Sequence, residues 1–273
     1  MKLKKAVTKA INKYSEVIHE EACNLLDFDT SLPKFEIKTR SFSPFSYNPR
    51  ENVIEVGVLD VNNEFKKLKK KFPEPKPKIE EYVAYSLEEE ITHYVHGNLN
   101  PKVFSEDEKL LKYFNAFYLR GDVREGDKYW YYFNCWRAHI EGIGKFGKKF
   151  IREKIDYPRK SFDEIFKNNL LKAVKRKWNF TKKNLIKMTP EECSHFFTAI
   201  TSTISDFMGR KLSEKWNLND VRRVAREKEY YFEAEILEET INELFPDFPD
   251  LFKNLRGIYI LHLKSQLNRG KSK

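Results

Sequence analysis

Apolar residues that return every three or four positions, over most of the chain, constrain this sequence more than any other feature. Val7, Ala10, Ile11, Tyr14, Val17, Ile18, Ala22 and Leu25 fall on one helical face, so residues 3–27 are predicted to form an amphipathic helix. The same period predicts helices at about 60–71, 79–97, 106–119, 127–154, 161–177, 190–216, 219–244 and 248–268. Alternation of period two is confined to Phe35, Ile37 and Thr39 and to Ile54, Val56 and Val58. Those two runs read as a strand pair around the turn-rich segment from Ser43 to Arg50. The expected fold class is therefore α+β: mainly helical, with a small β-sheet near the helix at 79–97 and a helical C-terminal half.

Proline and glycine punctuate this pattern. Pro33 follows the first helix, and Pro73-Glu74-Pro75-Lys76-Pro77 closes the helix at 60–71. Gly97 reads as the C-terminal stop of its helix, and Tyr157-Pro158 separates the helices on either side of it. Thr189-Pro190-Glu191-Glu192 has the form of a capping box with proline at the first helical position. The 273 residues suit one domain, subdivided as 1–155, which holds the sheet, and 156–273, which is helical.

Composition narrows the class. A chain that is 40% hydrophobic and 15% aromatic, with 22 Phe and 14 Tyr, can fill a core and is not a disordered segment. No run reaches the roughly 18 residues of a membrane-spanning helix, and the basic start leads into an amphipathic pattern rather than an apolar signal core. A cytoplasmic location is expected, or a virion if the source is viral. Cys23, Cys135 and Cys193 are far apart, odd in number and on predicted helices, so buried free thiols are expected rather than disulfides. Abundant Lys and Glu beside a single glutamine, Gln266, fits a protein from a hot environment, and an AT-rich genome would give a similar bias.

One segment carries specific chemistry. Glu89, His93 and His96 stand at i, i+4 and i+7 on the helix predicted for 79–97, so they share a face within reach of one ion, with Glu90 one step round. Apart from its first residue, Glu89-Glu90-Ile91-Thr92-His93 has the spacing of the zincin motif HExxH, in which two histidines bind zinc and the glutamate between them is the general base. Glu89 stands where the first histidine would.

The segment resembles the gluzincins, and in particular the compact archaeal minigluzincins. The residues Tyr47-Asn48-Pro49-Arg50-Glu51-Asn52-Val53-Ile54 resemble the family's upper-rim strand. Glu89 to His96 resemble its active-site helix, and His139-Ile140-Glu141-Gly142-Ile143-Gly144 resembles the helix that brings the third zinc ligand. The resemblance covers roughly 35–150. It implies Glu90 as catalytic general base and Glu89, His93 and Glu141 as metal ligands, with His96 a further candidate. One imidazole and two carboxylates make a harder donor set than usual, so the implied cofactor is a divalent metal, Zn, Mn or Fe, the last two suiting the donors better. The implied activity is that of a metallopeptidase with a degenerate metal site.

Other readings stay open. Glu88, Glu89 and Glu90 also suit a solvated first half of a helix, where carboxylates favour the dipole. Glu90-Ile91-Thr92-His93 and Glu192-Cys193-Ser194-His195 also match the paired ExxH of di-iron bundles. His139, among Trp130, Phe133 and Trp136, reads as a core residue. The net charge is +10, and Gly142 to Lys187 holds fifteen Lys or Arg against four Asp or Glu. Lys145, Lys148, Lys149, Arg152, Lys175, Arg176 and Lys177 are thus candidates for binding nucleic acid or another polyanion. Glu229, Glu233, Glu235, Glu238, Glu239 and Glu243 make a later helix acidic, and opposite patches would permit a homo-oligomer, as in a structural or virion assembly protein.

Overall fold

The structure, a computed structural model, describes residues 2–41, 43–72, 76–155, 188–227, 234–245 and 248–270, with scattered positions between 162 and 179. It is α+β and mainly helical: nine helices and one three-stranded sheet among the described residues. In chain order these are α1 (Lys2–Leu26), β1 (Lys34–Lys38), β2 (Phe45–Asn48), β3 (Val53–Gly57), α2 (Val58–Lys69), α3 (Ile79–Leu99), α4 (Lys102–Arg120) and α5 (Val123–Lys154). They are followed by α6 (Pro190–Lys215), α7 (Leu218–Arg226), α8 (Ala234–Leu244) and α9 (Phe248–Gly270). Among the described residues no helix is long and apolar enough to cross a membrane.

Two compact units interleave along the sequence. The first holds Met1–Phe104, Gly142–Phe166 and Ser213–Lys228; the second holds Ser105–Glu141, Lys167–Leu212 and Glu229–Lys273. The units therefore share α5 instead of dividing at one point of the chain.

In the first unit α3 is buried on nearly all sides, from Tyr82 through Gly97, as befits a helix enclosed by its neighbours. It packs on α1, whose buried face is Val7, Ala10, Ile11, Ile18, Ala22, Leu25 and Leu26, and on β2 and β3. β3 is the central strand, parallel to β1 with Phe35 opposite Ile54, and antiparallel to β2 with Tyr47 opposite Ile54. The turn-rich segment thus contributes a strand of its own, β2, that alternation did not reveal. The turn joining β2 to β3 is held by Asn48 Oδ1, which accepts from Arg50 N at 3.1 Å, and by Asn52 at φ 53°, a left-handed conformation asparagine tolerates.

α7 closes the end of α1. Arg222 donates to the Leu25 and Asn24 carbonyls at 2.9 and 2.8 Å, and Arg226 donates to the Asp27 carbonyl at 2.7 Å, supplying partners to carbonyls that a helix end leaves open. The helix expected over 219–244 is interrupted. Asn217 caps a new start by accepting from Asn219 N and Asp220 N, and Glu227 turns extended at ψ 143°.

The second unit is a helical assembly around an aromatic core. Phe197 stacks on Tyr259 at 4.4 Å and on Phe252 at 5.5 Å, and Trp130 lies 4.6 Å from Phe252. Polar groups in this core are matched: Trp130 Nε1 donates to Thr201 Oγ1 at 2.9 Å, and Ser205 donates to Asn134 Oδ1 at 3.1 Å. The expected capping box starts α6, with Thr189 N donating to Glu192 at 2.8 Å and Glu192 N to Thr189 Oγ1 at 3.2 Å. The helix predicted over 161–177 lies largely outside the described residues, as does its Tyr157-Pro158 boundary.

Candidate metal centre

α3 carries the motif as one unbroken helix. Gly97 does not end it; α3 runs on to Leu99 with Asn100 as its cap. Gly97 is small for another reason: a Cβ there would come within 2.7 Å of the Tyr47 hydroxyl. Tyr47 packs its ring edge-on to Tyr94 at 5.8 Å and to Phe104 at 5.3 Å. Its main-chain N–H donates to Glu90 Oε2 at 2.7 Å. The strand resembling the upper rim and the residue at the general-base position are therefore in direct contact.

Glu89 and His93 stand at i and i+4 on α3, so each offers a ligand atom on one face of the first unit. Glu141 stands on α5 immediately before Gly142. About fifty positions in sequence separate it from Glu89 and His93. His96 does not join them. It is fully buried, donates to the Ala225 carbonyl, and is pushed down to about 3 by burial first and by neighbouring His93 second. His139 is also a core residue, with Nδ1 2.7 Å from the Cys135 carbonyl and its pKa pushed down to about 4 by burial.

The electrostatics around Glu89 were not foreseen. Lys145 pairs with its Oε1 and Lys148 with its Oε2. The three side chains are 14%, 11% and 6% exposed for Glu89, Lys145 and Lys148. Burial alone would raise the Glu89 carboxyl, but the Lys145 and Lys148 ammonium groups, then His93, hold it well below the usual carboxylate range. One residue back, Glu88, completely buried, pairs with Arg152 at 3.4 Å. Tyr85 lies between these pairs, its ring centroid 3.9 Å from Lys148 Nζ and 5.3 Å from the Arg152 guanidinium, a cation–π arrangement that suits buried ammonium and guanidinium groups.

This corrects two readings. Glu88 and Glu89 are not a solvated helix face, since the carboxylates are buried against cations. Lys145, Lys148 and Arg152 do not present themselves to phosphates, because α5 turns them towards α3. Lys149, Lys175 and Arg176 are exposed, and Lys177 lies outside the described residues. The signal that could have found the pairing is period: 145, 148 and 152 share a helical face, as do 85, 88, 89 and 92 on α3.

The donor set can be tested against a divalent ion on these observations. Spacing allows one, as Glu89 and His93 lie one helical turn apart on the same face of α3. Charge does not. A doubly charged ion about 4 Å from each ammonium would be repelled by roughly 8 kcal/mol per lysine at an effective dielectric of 20. Each Glu89 oxygen already serves a cation, and Glu141 also has an ion-pair partner, Arg137 at 3.8 Å. In this arrangement the residues do not fit a divalent metal.

Glycines set the closeness of α3 and α5. A Cβ on Gly144 would fall 2.6 Å from His93 Cε1, and one on Gly147 would fall 2.4 Å from Thr92 Oγ1. Thr92 is itself held by its hydroxyl donating to the Glu88 carbonyl at 2.7 Å. Among family models, curated proteins and solved structures the chain has no match, so the resemblance to gluzincins stands on the motif residues and their spacing alone.

Proposed function

We propose that the chain is a metallopeptidase-like protein whose metal site is degenerate and which does not hydrolyse peptides. The observation that carries this reading is the use made of Glu90. Its Oε2 accepts the Tyr47 N–H at 2.7 Å, so the carboxylate at the general-base position anchors strand β2 to helix α3. A general base must instead be within reach of the proton of an attacking water. The test is a peptide-library cleavage assay with and without added Zn, Mn or Fe(II). No cleavage above buffer is expected, with Glu90→Gln indistinguishable from the parent. Cleavage that a chelator stops and Glu90→Gln abolishes would overturn the reading.

Self-association through opposite charges is the accompanying proposal. Lys149, Lys175 and Arg176 are exposed, as are Glu235 and Glu238, so charges of both signs remain for contacts between copies. Sedimentation velocity at low and high salt tests it: an oligomer that dissociates with salt is expected, and a monomer at both contradicts it. With Lys145, Lys148 and Arg152 withdrawn, nucleic-acid binding has less support.

A further inference from the structure

We propose that the ammonium groups of Lys145 and Lys148 supply the positive charge that a metal ion would supply at Glu89, so that this position is closed to divalent metals and serves as an internal ion-pair lock between α3 and α5. This deepens the reading above, and rests on it only for the expectation that a metal belongs there.

The lysines come from successive turns of α5, at i and i+3, so both reach the same neighbour. Each takes a different oxygen of one carboxylate. Lys148 is further fixed by the Tyr85 ring at 3.9 Å, and Gly144 lets the α5 backbone approach His93 closely enough for lysine stems to reach Glu89. The same stripe continues through Arg152 to Glu88. Against the carboxylates of Glu88 and Glu89 stand the cations of Lys145, Lys148 and Arg152. Sites that recruit hard divalent ions hold a surplus of carboxylate oxygens. Here each Glu89 oxygen is already taken by an ammonium group, and the groups are largely withdrawn from water that would screen an added charge.

The experiment measures metal retained per chain by elemental analysis after equilibration with Zn or Mn and gel filtration. It compares the parent, His93→Ala, and the double variant Lys145→Met with Lys148→Met, which keeps side-chain volume and removes both charges. The parent is expected to retain none. The double variant should gain a stoichiometric ion, and adding His93→Ala should remove it. A parent that retains a stoichiometric ion lost in His93→Ala would overturn the proposal, as would a folded double variant that retains none.

Should the double variant not fold, amine modification of the parent decides the matter. Lys145 and Lys148 are expected to react roughly tenfold more slowly than exposed Lys149, because their modification waits on local opening; equal rates would contradict the lock. Neither readout uses peptide cleavage, so a failure here is separable from a failure of the proposed loss of peptidase activity.

Discussion

Glu89 is a residue whose neighbours decide what its replacement does. Glu89→Gln would remove the carboxylate charge that Lys145 and Lys148 share, and breaking a buried pair in this way typically costs about 3–5 kcal/mol. Chemical denaturation should show that loss, whereas Lys149→Gln on the exposed side of α5 should change stability by less than about 0.5 kcal/mol. Equal effects of the two substitutions would place Glu89 in solvent. Cys23 gives a second test at this scale. Its thiol lies 3.6 Å from His19 Nε2, and burial pushes its pKa above the ordinary value despite a main-chain bond to Thr30 that opposes the shift. Alkylation should therefore be slow at neutral pH, rising only above a free thiol's usual range, and Cys135 and Cys193, with no exposure, should react only on unfolding. A Cys23 that alkylates with a midpoint below that of a free thiol would contradict it. That the three cysteines are buried free thiols was legible from their number and spacing. That Lys145 and Lys148 belong to Glu89 was not, since a run of lysines does not state which face its helix turns to solvent.

Among the elements, long amphipathic segments were the most legible. α1, α5, α6 and α9 lie close to their predicted spans, since each carries one apolar face over many turns. The Thr189 box was legible because its geometry is local; Thr189→Ala should lower stability by about 1 kcal/mol, read as a shift of the thermal midpoint, and no shift would mean the box is made in name only. Strand β2 and the break between α7 and α8 were not legible. β2 is a strand because β3 pairs with it, and α7 stops short because Glu227 turns extended at ψ 143° while the α7 arginines bind the end of α1. Those are tertiary causes. The α3–α5 crossing is likewise set by glycines whose role only the partner helix reveals. Gly147→Ala improves helix propensity by about 1 kcal/mol, yet it drives a methyl group into Thr92, and overpacking of that kind costs about 1–3 kcal/mol. Net destabilisation is expected in denaturant unfolding; a stabilised variant would mean that the helices are further apart.

For the whole molecule, apolar periodicity and composition sufficed for a mainly helical α+β chain with a filled core, but not for its interleaved organisation. Segments 142–166 and 213–228 belong with 1–104, a grouping made by contacts between residues far apart in sequence, which no local pattern encodes. That Glu89 and His93 share one face of α3 was legible, because helical period is a property of the sequence. The charge of the site was not, because it depends on which cations α5 brings to the motif. The central claim is that this charge comes from Lys145 and Lys148. Anomalous diffraction from crystals of the parent protein soaked in Zn or Mn tests it most directly. No anomalous peak is expected between Glu89 and His93, with both lysines remaining on the Glu89 carboxylate. A peak there, with Glu89 turned from the lysines onto the ion, would contradict it.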